Sequence, residues 1–286
     1  MLNFHKRTQK HEAMKARNRY HGIHKNTARK SIIEALELLA ATIWKIARRL
    51  YISAISKAIW INEAVVFEPQ LHSFYKRLEA SGELGKPATI VDVGANRGQA
   101  ACFFNRLLPG ARIVAIEANP DLVPLLKRKT LNLNIEVIPI AVSEKPGILP
   151  FYRCVFDEVS TLETPDKDSE YLLFKSKVLL VHVDDMYKVV DVDTTTLDQL
   201  ISKLNLAKID ILKIDVEGHE ASVLKGATLA LAKKTARFIQ IESHGDDQYQ
   251  GKGAQAEAIL ALHGYRLIAR IKHGFENFYE EVYASK

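Results

Sequence analysis

Cysteine is scarce. Cys102 and Cys154 are the only two in 286 residues, and they stand 52 positions apart with no neighbouring Cys or His. That pattern excludes a disulfide scaffold, a zinc finger and an iron–sulfur cluster, and both thiols read as reduced in a cytoplasmic protein. Long uncharged apolar runs are also missing: none reaches 18 residues, and the opening segment lacks the apolar core of a secretory signal. The expectation is a soluble or peripheral protein with nothing crossing a membrane. Acid is nearly absent from the start, where residues 1–30 hold nine Lys/Arg and one acid, Glu12, for a net +8, while the whole chain is +6. The remaining 256 residues are therefore −2. A body without basic excess cannot neutralise many phosphates, which speaks against a nucleic-acid enzyme. What is present is a 47% hydrophobic content. This is enough for a full core, so wholesale disorder is excluded. At roughly 150 residues per domain the length suits one large or two small domains.

Residues 1–30 are rich in Lys, Arg and His and read as a basic mobile tail. A mitochondrial presequence would also be basic, but this stretch has no serine and no amphipathic period. From Ser31 the pattern changes. Ile32, Leu36, Leu39, Ile43, Ile46 and Leu50 recur at spacings of four and three, with Lys45, Arg48, Arg49 and Lys57 between them. This is the seam of an amphipathic helix, suited to docking on the rest of the chain or on a second copy. With the basic tail in front, residues 1–66 also suit peripheral contact with an anionic membrane. A further helix spans Pro69–Glu79, and the loop 81–87 closes an N-terminal helical module, 31–87.

From Ala88 to the end, short β-branched runs alternate with helical ones. Strands are expected at Thr89–Val93, Arg112–Ile116, Ile135–Ile140, Ile209–Ile214 and Phe238–Ile241. Helices are expected from near Gly98 and from Pro120, with Asn119 as the cap. Alternation of this kind predicts an α/β fold, a mainly parallel sheet covered on both faces. Tyr265–Lys272 and Phe278–Tyr283 read as a hairpin closing the sheet. Between the third and fourth strands lies an insertion, 143–208, with strand-like pieces at Val178–Val183 and Val189–Val192. A capping box opens a short helix at Thr196-Leu197-Asp198-Gln199.

Three motifs carry chemistry. In Ile90-Val91-Asp92-Val93-Gly94-Ala95-Asn96-Arg97-Gly98-Gln99 an apolar strand ends in a tight turn that opens a helix, where free N–H groups and glycines let a ligand approach. Asn96 occupies the second glycine of a dinucleotide fingerprint; asparagine tolerates left-handed backbone, so the turn survives without close pyrophosphate contact. Glu117 lies 23 residues beyond Gly94, at the end of the second strand, where a carboxylate can accept from both ribose hydroxyls of an adenine cofactor. The third is Leu212-Lys213-Ile214-Asp215-Val216-Glu217-Gly218-His219-Glu220, followed by Val223-Leu224-Lys225-Gly226-Ala227.

Together with Glu117-Ala118-Asn119-Pro120, Ala141-Val142-Ser143 and Thr195-Thr196-Leu197-Asp198, these segments resemble the FkbM family of S-adenosylmethionine-dependent methyltransferases. The likeness covers about Ala88 to Glu242, with the segments in family order. It implies a Rossmann-like class I methyltransferase fold and an S-adenosylmethionine site. It also implies O-methylation of a hydroxyl on a sugar, glycolipid or polyketide-type product. By motif position, Asp92, Gly94, Asn96 and Gly98 would border the methionine and ribose, Glu117 would take the ribose hydroxyls, and Ala141, Val142 and Ser143 would line the adenine.

Removing the acceptor's proton calls for a base. Asp215 and Glu217 follow the fourth strand, and Glu242 and His244 the fifth, at the sheet edge where open α/β folds bind ligands. Asp215, Glu217 and His244 are the catalytic candidates. Glu217 or Glu220 could instead stabilise a helix start, His244 could be an ordinary surface histidine, and Ser160-Thr161-Leu162 could shape the acceptor site. The oxygen ligands could also hold Mg²⁺, although no metal spacing is recognisable. Two competing classes remain: a nicotinamide-dependent oxidoreductase, which lacks its glycine fingerprint here, and a non-catalytic membrane- or partner-binding protein on the same fold.

Overall fold

The computed structural model describes residues 34–59, 61–244, 251–273 and 278–285, with the His244 side chain outside that description. The basic tail, residues 31–33 of the expected helix and Gly245–Asp247 also lie outside it. The chain divides into two compact units, Met1–Ala58 and Ile59–Lys286.

In the first unit the described part is helix α1 (34–59), and the expected apolar seam from Leu36 to Leu50 is on it. The expectation of no membrane-crossing segment rested on uncharged runs alone. By length and mean hydropathy, 1.3 over an 18-residue window, the helical run Glu34–Ala80 is long and apolar enough to cross a bilayer.

The second unit opens with a π-helical turn, Glu63–Phe67, and helix α2 (Glu68–Ala80), close to the expected Pro69–Glu79. A seven-stranded sheet follows in the order β3-β2-β1-β7-β8-β10-β9. Its strands are β1 (Thr89–Val93), β2 (Arg112–Ile116), β3 (Ile135–Ile138), β7 (Ile209–Ile214), β8 (Ala236–His244), β9 (Tyr265–Lys272) and β10 (Phe278–Ser285). The first five run parallel, and β10 is antiparallel to both β8 and β9. This is the Rossmann-like class I methyltransferase arrangement. The closing hairpin forms as expected, with its second strand placed inside, between β8 and β9.

Strand side chains alternate between two cores, as a sheet covered on both faces requires. Ile90, Ile113, Ile211 and Phe238 face one side, packed against Tyr75 of α2, Phe104 of α3 (Gln99–Leu107) and Leu126 of α4 (Val123–Thr130). Val91, Val93, Leu212 and Ile239 face the other. They meet Leu197 of α6 (Leu197–Lys203), Val223 of α7 (Glu220–Lys225), Leu231 of α8 (Thr228–Ala232) and Leu260 of α9 (Lys252–Leu262). Fully buried side chains such as Tyr75 and Phe104 each stabilise the fold by about 1.5–3 kcal/mol through burial.

The insertion builds its own three-stranded sheet, β4-β6-β5, from β4 (Ala141–Val142), β5 (Gly147–Cys154) and β6 (Tyr187–Thr195). Strand β5 and helix α9 carried no clear sequence signal, and three expectations need correction. The third strand stops at Ile138, because the N–H of Ile140 turns back to donate to the Ile138 carbonyl instead of continuing the ladder. Regular helix begins at Val123 rather than Pro120: the Asn119 carbonyl accepts from Leu122 and Val123, while its side chain accepts from Asp121 N, which makes 119–122 a turn. The stretch Val178–Val183 is not a strand. It begins at the last residue of α5 (Glu170–Val178), where Leu180 takes φ 53° and the N–H groups of Leu180 and Val181 donate to the carbonyls of Lys177 and Ser176. That pair of bonds satisfies orphan helix carbonyls and outweighs the β-branched composition of the run. Half of the expected capping box forms, the Thr196 hydroxyl accepting from Gln199 N, while the Gln199 side-chain oxygen accepts from the Thr195 hydroxyl. The Asp198 carboxylate caps α8 instead, accepting from Leu229 N and Ala230 N.

Candidate active site

Strand β1 ends in a turn that hugs β2. The N–H groups of Gly94 and Ala95 both donate to the Ile116 carbonyl, and Asn96 has φ 47°, the left-handed backbone expected of it. Gly98, at φ 76°, is the N-cap of α3. Glu117 closes this turn. One carboxylate oxygen accepts from Asn96 N and the other from Asn119 N, each at 2.6 Å. The Ala118 N–H also bonds this carboxylate, which has four acceptor positions and so keeps room for a ligand hydroxyl. Burial pushes the Glu117 pKa up to about 7 despite those bonds. Asp92, paired in register with Ala115 and Lys213, is fully buried. Its oxygens make no regular hydrogen bond, and burial raises its pKa while Lys213 opposes the rise.

The segment expected to line an adenine follows. Ala141 packs with Phe151 and Val192, and Val142 joins the main core, so both apolar side chains are absorbed by packing. The Ser143 hydroxyl meets His219 Nε2 at 2.9 Å, and His219 Nδ1 lies 2.7 Å from a Glu163 oxygen. Lys252 of α9 pairs with the other Glu163 oxygen. Burial works against the Glu163 charge, yet its bonds to His219 and Lys252 hold its pKa down to about 2. This chain of side chains ties the insertion and α9 to the end of β4. Gly226 explains the glycine of the V-L-x-G-A stretch: a Cβ there would sit 2.2 Å from the Ser143 carbonyl oxygen. Replacing His219 with Ala should leave the buried Ser143 hydroxyl unpaired and cost about 1–3 kcal/mol. Thermal unfolding would register this as a melting point lower by roughly 2–4 °C per kcal/mol.

At the carboxyl ends of β7 and β8, Asp215, Glu217 and Glu242 converge. One carboxylate oxygen from each lies within 4.8 Å of the others. Glu217 and Gly218 take consecutive positive φ values, 53° and 92°. For a glutamate this is an uncommon, strained backbone, held here by Thr161 Oγ1 donating to the Glu217 carbonyl at 2.8 Å. Thr161 is therefore buried against the site loop rather than being an ordinary surface hydroxyl. Glu220 Oε1 accepts from Val216 N and Gly218 N, so its carboxylate holds the loop that precedes α7, at whose first residue it stands.

Lys213 donates to Asp215 at 2.6 Å and stands 4.0 Å from Glu280 of β10. Burial would lower the Lys213 pKa, but Asp215, Glu280 and Asp92 outweigh it and raise the value. The pKa of Asp215 is raised well above the carboxylate range by burial, with Lys213 opposing and Glu242 and Glu217 reinforcing. Glu158 from the insertion is pushed to about 7 by burial and by Glu63, Asp157 and Glu217. His273 stacks on Phe67 with ring centres 3.8 Å apart and lies 3.5 Å from Glu280. Among these, Lys213 had a legible signal, one of two charges, with Asp210, inside the otherwise apolar run Ile209–Ile214. Glu280, His273, Glu63, Glu158, Glu163 and His219 were not singled out as site residues. The backbone of His244 ends β8, opposite Phe278 of β10.

Two features now coincide: a glycine-bearing turn closed by an acidic residue at the end of β2, and a carboxylate group at the ends of β7 and β8. The family model described as a methyltransferase FkbM domain matches residues 92–267, which is more than half of the chain. The chain belongs to the FkbM methyltransferase family. Among curated relatives, it is 27% identical over 208 residues to the AMB antimetabolite synthetase AmbE of Pseudomonas aeruginosa, covering 64% of this chain and 10% of that protein. The 2-O-methyltransferase NoeI of Sinorhizobium fredii is 26% identical over 196 residues, covering 68% of this chain and 79% of its own. The 31-O-demethyl-FK506 methyltransferase FkbM of Streptomyces tacrolimicus is 26% identical over 204 residues, with 65% and 76% covered. The matched stretch thus spans a small part of AmbE and about three quarters of the other two.

Proposed function

We propose that this FkbM-family chain transfers a methyl group from S-adenosylmethionine to a hydroxyl oxygen of a sugar, glycolipid or polyketide-type acceptor. The observation that carries the cofactor half is the buried Glu117 carboxylate, fixed at the turn by the backbone N–H groups of Asn96 and Asn119 and still able to accept from a ligand. That acceptor fits a ribose hydroxyl. Asp92, Gly94, Asn96 and Gly98 would border the methionine and ribose, and the backbone around Ala141, Val142 and Ser143 the adenine. When bound, the cofactor supplies the methyl group on a sulfonium with a good leaving group. What remains for this chain is alignment of the acceptor oxygen, the larger share, and removal of its proton. The names of NoeI and FkbM support oxygen as the receiving atom. Asp215 is the favoured base because it sits where β7 ends, within reach of Glu217 and Glu242, and its pKa is raised by burial, with Glu217 and His244 as the other candidates.

Calorimetry tests the cofactor half. S-adenosylmethionine and its demethylated product should bind at micromolar order, worth about 8 kcal/mol, and NAD should not. Glu117→Ala should weaken binding by about 1.5–3 kcal/mol, the worth of hydrogen bonds to a charged acceptor. The pH dependence has a definite sign. A carboxylate with a pKa near 7 gains a proton as pH falls, so cofactor affinity should decline below about pH 7 and level off above it. Glu117→Gln should flatten that profile. Unchanged affinity in a folded Glu117→Ala protein would remove the assignment. Across a panel of nucleotide sugars, glycolipids and macrolides, the true acceptor should gain about 14 daltons in mass spectrometry, the net addition of CH₂ in a methyl transfer.

One observation favours a second reading of the carboxylates. The three oxygens of Asp215, Glu217 and Glu242 are close enough to share a hard cation such as Mg²⁺. Activity lost in EDTA and restored by Mg²⁺ would establish it, and activity insensitive to EDTA would exclude it.

A further inference from the structure

Helix α1 carries a broad exposed apolar face. Leu36, Leu39, Ile43, Trp44, Ile46 and Leu50 are each between 54% and 68% exposed. At about 100° of rotation per residue, these six fall within an arc of roughly 160°, with Glu34, Lys45, Arg48 and Arg49 on the opposite side, Glu37 at the margin and Lys57, near the end of the helix, back within the arc. We infer that α1 is an interfacial helix that lies on an anionic lipid bilayer, with its apolar face sunk among the acyl chains and its basic face among the headgroups.

Three features select this occupant over the others. Charge is the first. From residue 38 to residue 62 the chain has four bases, Lys45, Arg48, Arg49 and Lys57, and no acid, and residues 1–30 add a net +8. An anionic surface attracts that sequence, whereas two parallel copies packed along the 36-39-43-46-50 seam would place like charges side by side. Width is the second. A two-stranded seam is narrow, but Trp44 and Tyr51 extend this face to one side and remain exposed. Aromatic rings with a polar edge suit the boundary between headgroups and acyl chains. The third argues against crossing. The seam Leu36–Leu50 cannot itself cross, because Lys45, Arg48 and Arg49 interrupt it and would lie mid-bilayer, whereas a helix lying flat lets their long stems reach the headgroup layer.

The inference is independent of which acceptor the enzyme methylates, and full-length protein tests it by flotation. Vesicles of phosphatidylcholine mixed with phosphatidylglycerol should carry the protein up the gradient, and phosphatidylcholine alone should carry it far less. Rising salt should release it, because screening shortens the reach of exposed charges from about 8 Å at physiological ionic strength to about 3 Å at 1 M. The double variant Ile43→Glu, Ile46→Glu should lose flotation altogether. The triple variant Lys45→Gln, Arg48→Gln, Arg49→Gln should lose the preference for anionic vesicles. Both should bind S-adenosylmethionine as the parent does, which shows that the sheet domain is intact. Equal flotation by the Ile43→Glu, Ile46→Glu protein would overturn the inference. So would light scattering that shows a dimer dispersed by that variant with no vesicle binding by the parent, since the face would then belong to a second copy.

Discussion

Asp215→Asn or Glu217→Gln is expected to cut turnover about a hundred- to ten-thousandfold. Affinity for S-adenosylmethionine should meanwhile stay near the parent value. A base acts in the transition state, so its loss appears in kcat rather than in cofactor binding. The geometry favours Asp215. It sits where β7 ends, it accepts from Lys213, and Glu242 and Glu217 crowd it with like charge. Burial and that crowding raise its pKa, so the acid limb of the kcat profile should lie above the ordinary aspartate value of about 3.9. The sign follows from the role: activity falls as pH drops through the raised pKa, because the protonated carboxyl cannot accept the acceptor's proton. Asp215→Asn should remove the limb along with the rate. Steady-state kinetics against pH, paired with calorimetry, check both parts. Full turnover in both variants on the true acceptor would place the base elsewhere or leave alignment alone as the source of rate.

The second large effect concerns the turn between β1 and α3. Gly94→Ala should destabilise the protein by about 3 kcal/mol or more, combining overpacking with the cost of a left-handed residue. The new Cβ would lie 1.8 Å from the Asp215 carbonyl oxygen and 2.8 Å from its carbon, at φ 86°. Those are backbone atoms, and no rotamer relieves the clash. The ends of β1 and β7 would have to separate, taking Asp215 away from Lys213 and disturbing the turn that Glu117 closes. A melting point lower by roughly 6–12 °C is expected, together with weakened cofactor binding. Gly110→Ala supplies the control. It has the same φ of 86° with nothing within 4 Å of the added Cβ, so it should show only the backbone cost. Similar melting points for the two variants would mean that Gly94 is not pressed against β7 as described.

Much of the frame was legible because it depends on local rules. β1, β2 and β7 run over the residues expected of them, since β-branched runs bounded by turn residues have one good conformation. Asn96 could be assigned left-handed backbone and Thr196 a cap from side-chain chemistry within three residues. The local rules failed where a nearby alternative competed. Val178–Val183 has strand composition, but the helix before it needed its carbonyls satisfied, and the turn at Leu180 did so. A turn from Ile140 N–H to the Ile138 carbonyl ended a strand whose composition ran on to Ile140.

The sequence by itself thus determined the alternating α/β core, the glycine-bearing turn with its acidic partner Glu117, and the ordered motifs that define the family. These rest on periodicity, turn chemistry and spacing, all of which act over a few residues. Only the tertiary structure decided which side chains surround Lys213, that Glu280 and His273 come to it from the C-terminal hairpin, and that β10 lies inside the sheet. It also decided that Ser143, His219, Glu163 and Lys252, drawn from four separate stretches, form one hydrogen-bonded chain. Such groupings follow from where strands and insertions dock, and pairing between distant segments is set by the packing of the whole sheet, which no local pattern encodes.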